Sequence, residues 1–264
     1  MTKYATGFGS AGALTGTEVL QVVRSGADLQ APVSAFVTPG YIDGLILRWV
    51  SGTAITLGTG SAYIPSLGYA IRVTSDIAKT GLTIAANTNY HFYLFLNGSS
   101  ADWELSTTAP TSAYYATART KTGDTSRRYL GSVISDASGL LYNFTVYGNI
   151  YRYVTGGGAP YRIVNNGMAT TRTNVDISSL VPSTASTVYV KVQNSSTSTS
   201  SALFFDSSAS GLSGTAAFII IGQPSTQLTG EMPLMGSQIV QYFYGAAPAT
   251  QGAFIDVLGY QVPR

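Results

Sequence analysis

Short segments in which apolar and polar residues alternate, separated by turn residues, run along most of the chain. Alternation with a period of two is typical of strands that bury one face, and no helical pattern of 10–15 residues lies between these segments. Between residues 41 and 150 the candidate strands are Leu45–Val50, Ala54–Leu57, Gly60–Ile64, Ala70–Val73, Tyr90–Leu96, Tyr129–Ile134 and Leu140–Val146. The aromatic and strongly apolar Tyr90–Leu96 is predicted to be a central strand.

The same pattern continues through the last third of the chain, where the candidate strands are Val188–Val192, Phe218–Gly222, Gln238–Tyr244 and Phe254–Tyr260. Because Phe218–Gly222 is apolar at nearly every position, we expect it to be fully buried. Asn165–Gly167 predicts a turn, and Asn194–Ser201 predicts a Ser/Thr-rich loop. Gly156–Gly158, followed by Pro160, predicts a linker.

The first forty residues differ from the rest of the chain, because they contain material for one hairpin only. Thr17–Arg24 predicts a strand, Ser25 and Gly26 a turn, and Ala27–Val37 a weaker second strand. A lone hairpin is marginal in water, so this segment needs a partner surface. We expect it to dock onto another protein, with its contact residues at Glu18, Val19, Leu20, Val22 and Val23.

These patterns together predict an all-β protein. An extended N-terminal docking segment, residues 1–40, is followed by two antiparallel β-sandwich or jelly-roll-like domains, residues 41–150 and 151–264. The composition agrees, since 29 Gly and 18 Tyr accompany only 10% charged residues in a chain of 264. Tyrosine favours strands and glycine favours turns.

Composition also excludes several classes of function. Without cysteine the chain has no disulfide, thiolate nucleophile or cysteine zinc site, and its single histidine, His91, excludes a multi-histidine metal site. We therefore expect no cofactor and no metal. A net charge of +2 without a basic run argues against nucleic acid as a partner. No apolar run is long enough to insert into a membrane, and the first residues lack a secretory signal, so we expect synthesis in the cytoplasm.

Few residues suggest catalysis. His91, at the start of an aromatic strand, is more often a hydrogen-bonded structural residue than a base. Asp102 and Glu104 lie two residues apart on one strand face, and with Asp206 they are the acids of an alternative hypothesis, a carbohydrate-active enzyme. Because a chain with 12 acidic residues yields such a pair by chance, we do not expect an enzyme.

Two kinds of cluster suggest binding. One segment is dense in charge and contains Arg119, Lys121, Asp124, Arg127 and Arg128. It could bind phosphate or an acidic sugar. The favoured interpretation is that it forms salt bridges or a subunit contact. Tyr114–Tyr115 and Tyr242–Tyr244 are candidates for stacking on sugar rings, although tyrosines in a β protein more often pack inside it or at an interface.

Three stretches carry a resemblance to a known group of proteins. Leu14–Gln30, with Thr-Gly-Thr-Glu before an apolar strand, a Gly turn and a second strand, resembles the N-terminal segment of tailed-bacteriophage appendage proteins. The stretch Gly44–Val146 resembles a tail-fibre module, on the motifs Gly60–Ile64, Ser106–Pro110, Ala118–Asp124 and Arg128–Val133. The C-terminal part, with Val175–Ala185 and Ile255–Tyr260, is similar to the terminal β-sandwiches of the same group.

The resemblance implies a virion protein, a homotrimer that is attached to other tail or capsid proteins through residues 1–40 and displays its β domains outward. We expect a short tail fibre that binds a glycan or protein of the host surface. The alternative is a head fibre, capsid decoration or tail-adaptor protein with a purely structural role. The chain is too short for a long shaft or for a depolymerase β-helix. Its low charge and mean hydropathy of +0.18 agree with apolar surface covered by other subunits.

Overall fold

The fold is all-β, as the sequence predicts. A computed structural model describes residues 37–154, 161–207, 220–234 and 237–264, together with the backbone of residues 19–24 and 27–32. Every regular element in these ranges is a strand, and the paired strands are antiparallel. Within the same ranges, no helix has the length and apolarity that a membrane span requires.

Twenty-two strands are described. The first twelve are β1 (Val19–Arg24), β2 (Ala27–Pro32), β3 (Ile42–Gly44), β4 (Leu47–Ser51), β5 (Ala54–Leu57), β6 (Gly60–Ile64), β7 (Tyr69–Val73), β8 (Ile77–Lys79), β9 (Asn89–Asn97), β10 (Ser100–Ser106), β11 (Thr120–Lys121) and β12 (Asp124–Ile134). The others are β13 (Phe144–Tyr147), β14 (Ile150–Tyr153), β15 (Arg162–Gly167), β16 (Thr173–Asp176), β17 (Thr187–Asn194), β18 (Leu203–Ser207), β19 (Ile220–Gly222), β20 (Thr226–Pro233), β21 (Ile239–Tyr244) and β22 (Ala253–Gln261).

The N-terminal segment contains the hairpin β1–β2, in which Val19 pairs with Pro32 and Arg24 pairs with Ala27. Four of the predicted docking residues, Val19, Leu20, Val22 and Val23, lie on β1. Glu18 and the predicted turn residues lie outside the described residues. The docking role of this hairpin stays a prediction.

Three sheets form the first half of the chain. They have the strand orders β10-β9-β12-β11, β3-β6-β7 and β4-β5-β8. The predicted central strand is indeed central, since β9 pairs with β10 on one side and with β12 on the other. Its residues Phe92, Tyr93 and Leu94 are fully buried and, with Trp103 of β10, form the middle of the core.

The second half contains a six-stranded sheet and a four-stranded sheet. The first has the order β13-β14-β22-β17-β20, with β15 also paired to β22, and the second has the order β16-β21-β18-β19. Both sheets contribute buried side chains to one core, among them Val190 and Val257 from the larger sheet and Phe205 and Val240 from the smaller. The arrangement is that of a β-sandwich.

The two halves share this core and are joined by buried hydrogen bonds. Tyr260 on β22 donates to the Ser132 carbonyl on β12, and Tyr129 on β12 donates to the Thr184 hydroxyl. The hairpin β13–β14 leaves the first half to pair with β22, so the predicted boundary at residue 150 falls within this hairpin. The predicted linker at Gly156–Gly158 lies outside the described residues.

Two local predictions are wrong. Asn165–Gly167 is not a turn but the end of β15, where Asn166 has a φ of 57° and the register with β22 shifts. The described part of Phe218–Gly222 is β19, an edge strand in which Ile221 is 43% exposed. An apolar run gives no signal for an edge position, because the position is decided by the number of neighbouring strands and not by hydrophobicity.

Candidate functional site

Four loops meet at one end of the C-terminal sandwich. The loops are residues 168–172, 195–202, 223–225 and 245–252. Strand pairing brings them together: Ala253, at the start of β22, pairs with Gly167 and with Asn194, and Leu203 pairs with Gly222 and with Tyr244. Since loops at the end of a rigid sandwich commonly carry recognition, we call this surface the four-loop end.

Asn194 holds three of the chain segments at this end together. Its side-chain nitrogen donates to the carbonyls of Ser201 (2.8 Å) and Gly222 (3.0 Å). Its side-chain oxygen accepts from the Ser196 amide (3.0 Å) and the Tyr244 hydroxyl (3.1 Å). The buried amide therefore uses all four of its hydrogen-bonding positions, which fixes the strand ends relative to one another.

Two buried serines extend this network into the loops. The Ser196 hydroxyl accepts from the amides of Ser198 and Ala249, and the Ser196 carbonyl accepts from the Ser225 amide. The Ser201 hydroxyl donates to the Ala247 carbonyl at 2.8 Å. The predicted Ser/Thr loop is thus a hydrogen-bonded platform whose inner serines are structural and whose outer residues face solvent.

Three of the six non-glycine residues with positive φ in the described part of the chain lie at the same end. Asn166, Ser225 and Thr250 have φ values of 57°, 58° and 66°, in the left-handed region that β-branched residues rarely adopt. At Thr250 the Gln251 amide donates to the Ala249 carbonyl and closes a three-residue γ-turn, a strained form at this φ. Residues are kept in such conformations when their surroundings determine them, often at binding sites.

The outer surface of the four-loop end is rich in hydroxyl and amide groups. Its exposed polar residues are Thr170, Thr171, Thr197, Thr199, Ser200, Gln223, Ser225, Thr250 and Gln251. Arg172 is the one charged residue in the four loop sequences, and its guanidinium donates to the side-chain oxygen of Gln241. A neutral surface of this kind can donate and accept hydrogen bonds with a polyhydroxylated or amide-bearing ligand.

The predicted docking segment joins the structure at the opposite end of the sandwich. β22 runs from the four-loop end for nine residues, about 26 Å. Beyond it, the Arg264 guanidinium donates to the carbonyls of Gly44 and Leu45. Thr38 and Gly40 line one cavity together with Arg264. The described residues 37–40, the last of the predicted docking segment, therefore lie at the end opposite the four loops.

His91 is a buried structural residue. Its Nδ1 lies 2.6 Å from the Ser132 hydroxyl, which also contacts the hydroxyls of Tyr129 (2.6 Å) and Thr184 (2.8 Å). Only 2% of His91 is exposed, and burial lowers its pKa from 6.5 to about 4. The network links β9, β12 and the turn at Thr184, and it places the imidazole away from solvent.

The paired acids of the enzyme hypothesis lie in separate ion pairs. Asp102 pairs with Lys79 at 3.0 Å, whereas Glu104 pairs with Lys121 at 2.8 Å and with Arg127 at 3.3 Å. Burial alone would raise the pKa of Asp102, but hydrogen bonds from Lys79 and from the Trp103 amide hold it below its usual value. Both carboxylates are thus engaged by neighbouring cations.

The charge-dense segment separates into two environments. Lys121 and Arg127 form the ion pairs with Glu104, in agreement with the salt-bridge interpretation. Arg128 is fully buried instead, and its guanidinium donates to the carbonyls of Arg119, Tyr129 and Gly40. Burial lowers the pKa of Arg128 from its ordinary value. Arg128 thereby connects β12 to Gly40, in the residues that follow the hairpin β1–β2.

The two tyrosine clusters also differ. Tyr114 and Tyr115 are exposed at 38% and 46%, and the Tyr114 hydroxyl donates to the Pro39 carbonyl. Tyr242 and Tyr244 are buried, so this cluster is not available for stacking on a ligand.

Asp206, the third acid of the enzyme hypothesis, is buried in β18. Among the described residues, no group of three His, Cys, Asp or Glu side chains is placed to hold a metal ion.

Comparison with known proteins places the chain in no family. No family model matches it, and no curated protein matches it. One similar solved structure is the exo-β-1,3-galactanase of Phanerochaete chrysosporium with β-1,3-galactotriose, at 13% identity and a TM-score of 0.23. The match covers 79% of this chain and spans 63% of that chain. A likeness at this score carries no argument about fold or function.

Proposed function

We propose that this protein is a short tail fibre of a tailed bacteriophage, a virion protein that attaches by residues 1–40 and binds the host surface with its four-loop end. The observation that supports the proposal is that two parts of the chain lie at opposite ends of the sandwich. Thr38 and Gly40, which end the predicted docking segment, lie beside Arg264, and the four-loop end lies at the far end of β22.

The chemistry of the four-loop end suits weak, reversible binding to a neutral glycan or to exposed peptide groups. Hydroxyl and amide side chains such as Thr197, Thr199 and Gln223 are exposed on a backbone that Asn194 and Ser196 hold rigid. A preorganised surface avoids part of the ordering cost of binding. Several copies on one particle then convert weak contacts into firm attachment.

The proposal includes a homotrimer. Apolar side chains are exposed outside the four-loop end, notably Val50, Leu140 and Tyr147 at 56%, 44% and 71%. A subunit interface could cover such residues, since removing apolar surface from water favours association. Closed symmetry is the usual arrangement of identical subunits.

Binding to cells tests the proposal directly. We expect the purified chain to have the mass of a trimer, to label at least one strain in a panel of bacteria by flow cytometry, and to block phage adsorption to that strain. Replacing Thr197 and Thr199 by alanine should remove the labelling without changing the melting temperature. The matched control replaces Ser99 and Thr107, exposed hydroxyls in and beside the β9–β10 hairpin, and should bind as the parent does.

Three outcomes would contradict parts of the tail-fibre proposal. A trimer that labels no strain would favour the alternative, a head fibre, capsid decoration or tail-adaptor protein with a purely structural role. Equal labelling by the Thr197 and Thr199 double variant and the control would move host recognition away from the four-loop end. Hydrolysis of host polysaccharide by the parent, lost on Asp102→Asn, would return the enzyme hypothesis.

A further inference from the structure

A second cavity, with a polar lining, lies on the outer face of the sheet β3-β6-β7, beside Tyr41 and at the end of the molecule opposite the four-loop end. Its volume is about 620 Å³, within the usual range of ligand pockets, roughly 300–1,000 Å³. The residues that line it include Tyr41, Asp43, Thr59, Ser61, Arg72 and Thr74. Most of them are polar, which favours a hydrophilic ligand over an apolar one.

Strand register determines the order of the polar groups across this face. Asp43 on β3 pairs with Ser61 on β6, and Ser61 pairs with Arg72 on β7, so the three form one row. Their inward neighbours Ala62 and Ile71 are buried in the core, which directs this row outward. Asp43 and Arg72 lie two strand spacings apart, about 10 Å, with only the small serine between them.

Asp43 and Arg72 are both exposed, and neither has an ion-pair partner in the described part of the chain. The carboxylate accepts hydrogen bonds only, whereas the guanidinium donates only. The Ser61 hydroxyl between them donates its hydrogen to the Tyr41 hydroxyl, so it can accept a hydrogen bond from a ligand. A ligand spanning this row must therefore carry donors toward Asp43 and acceptors toward Arg72.

Tyr41 supplies an aromatic wall at one end of the row. It is 39% exposed, and its hydroxyl accepts a hydrogen bond from Ser61 at 3.2 Å, which restrains the ring beside the polar row. Tyr41 also lines a neighbouring cavity of about 390 Å³, together with Tyr115, Thr117 and Arg264. The ring thus lies between two cavities, and a linear ligand can pass over it from one to the other.

From this geometry we propose that the outer face of β3-β6-β7 binds a neutral oligosaccharide, with one sugar ring stacked on Tyr41 and the hydroxyls of the next unit bonded to Asp43, Ser61 and Arg72. Vicinal hydroxyls both donate and accept, as the row requires, and the charges of Asp43 and Arg72 cancel, so no net charge is required of the ligand. The site is independent of the four-loop end and does not depend on the proposed host recognition.

The test uses an array of neutral and acidic oligosaccharides, followed by titration of the strongest neutral binder. Tyr41→Ala should weaken binding at least about tenfold, through loss of ring stacking, and Asp43→Asn should weaken it by a similar factor. Tyr41→Phe is the matched control, because it keeps the ring for stacking and should retain most of the affinity. Melting temperatures of all three variants should equal that of the parent.

Four results would overturn the proposal. The first is absence of binding to any neutral oligosaccharide at millimolar concentration, and the second is retention only of acidic oligosaccharides. The third is unchanged affinity in both Tyr41→Ala and Asp43→Asn. The last is loss of affinity on replacing Thr197 and Thr199 with no loss on replacing Tyr41, which would assign the bound sugar to the four-loop end.

Discussion

Acidification from pH 7 to pH 5 should destabilise this protein through one residue, His91. It is the only histidine in the chain, and no other ordinary side-chain pKa falls in this interval. In the folded protein burial lowers the pKa of His91 from 6.5 to about 4. The unfolded chain therefore binds a proton that the folded protein does not, and stability must fall as the pH falls through 6.5 toward 4.

The size of the effect follows from the two pKa values of His91. A displacement from 6.5 to about 4 corresponds in full to about 3 kcal/mol in the free energy of unfolding. By pH 5 roughly 2 kcal/mol of this should be lost. The pKa values of Asp102, Asp124 and Asp256 are lowered from 3.8, so these groups begin to contribute only below that interval.

Urea unfolding, followed by tryptophan fluorescence at pH 7, 6 and 5, measures this loss. His91→Gln keeps a hydrogen-bonding side chain beside Ser132 but cannot titrate, so its free energy of unfolding should stay constant over the interval. Ser132→Ala is the control: it should lower the free energy of unfolding at every pH but keep the same dependence on pH as the parent, because His91 is still present. Parallel declines in the parent and His91→Gln would refute the reasoning, as would an NMR titration of His91 with a midpoint near 6.5.

Two further substitutions test the polar groups of the first half. Arg128→Lys should lower the free energy of unfolding by about 3 kcal/mol, because a buried ammonium cannot reach the three carbonyls to which the guanidinium donates. Arg128→Met should lower the free energy of unfolding by less, because it leaves no buried charge. The urea midpoints of the two variants check this order, and the reverse order would contradict it. Glu104→Gln should lower the free energy of unfolding by less than about 1 kcal/mol, since the ion pairs of Glu104 are partly exposed. In 1 M salt the parent and the variant should be equally stable, because salt screens these pairs. A large decrease that does not depend on salt would show a structural role for Glu104 instead.

The strands were predictable where local pattern decides them. Gly60–Ile64 and Ala54–Leu57 are observed as predicted, and Tyr90–Leu96 lies within β9. The short strands β8 and β11, of three and two residues, have too few residues for alternation to identify them. Register shifts, such as the one that makes Asn165–Gly167 part of β15, depend on the partner strand and leave no local signal.

The candidate sites depend on contacts between distant residues, so sequence indicated them only in part. The sequence predicts Asn194–Ser201 as a loop, and its threonines are exposed in the structure. The sequence does not predict that Asn194 holds the strand ends together, because the carbonyls of Ser201 and Gly222 to which it donates are brought near only by the fold. Asp43 and Arg72 are 29 positions apart in the sequence and lie in one row because each pairs with Ser61 of β6. An Asn-Ser pair at a strand end was the one local hint, since asparagine there commonly caps its own backbone.

The position of β22 sets the order in which the chain can fold during its synthesis. β14 and β15 share one edge of β22, so neither has this partner until Gln261 has been made. Gln261 follows Ile150 by about 110 residues, which at about 5–20 residues per second takes roughly 6–22 s on the ribosome. For that time the unpaired edges of β14 and β15 are open to pairing with other nascent chains. Efficient production therefore requires that these edges be shielded until β22 is available to pair with them.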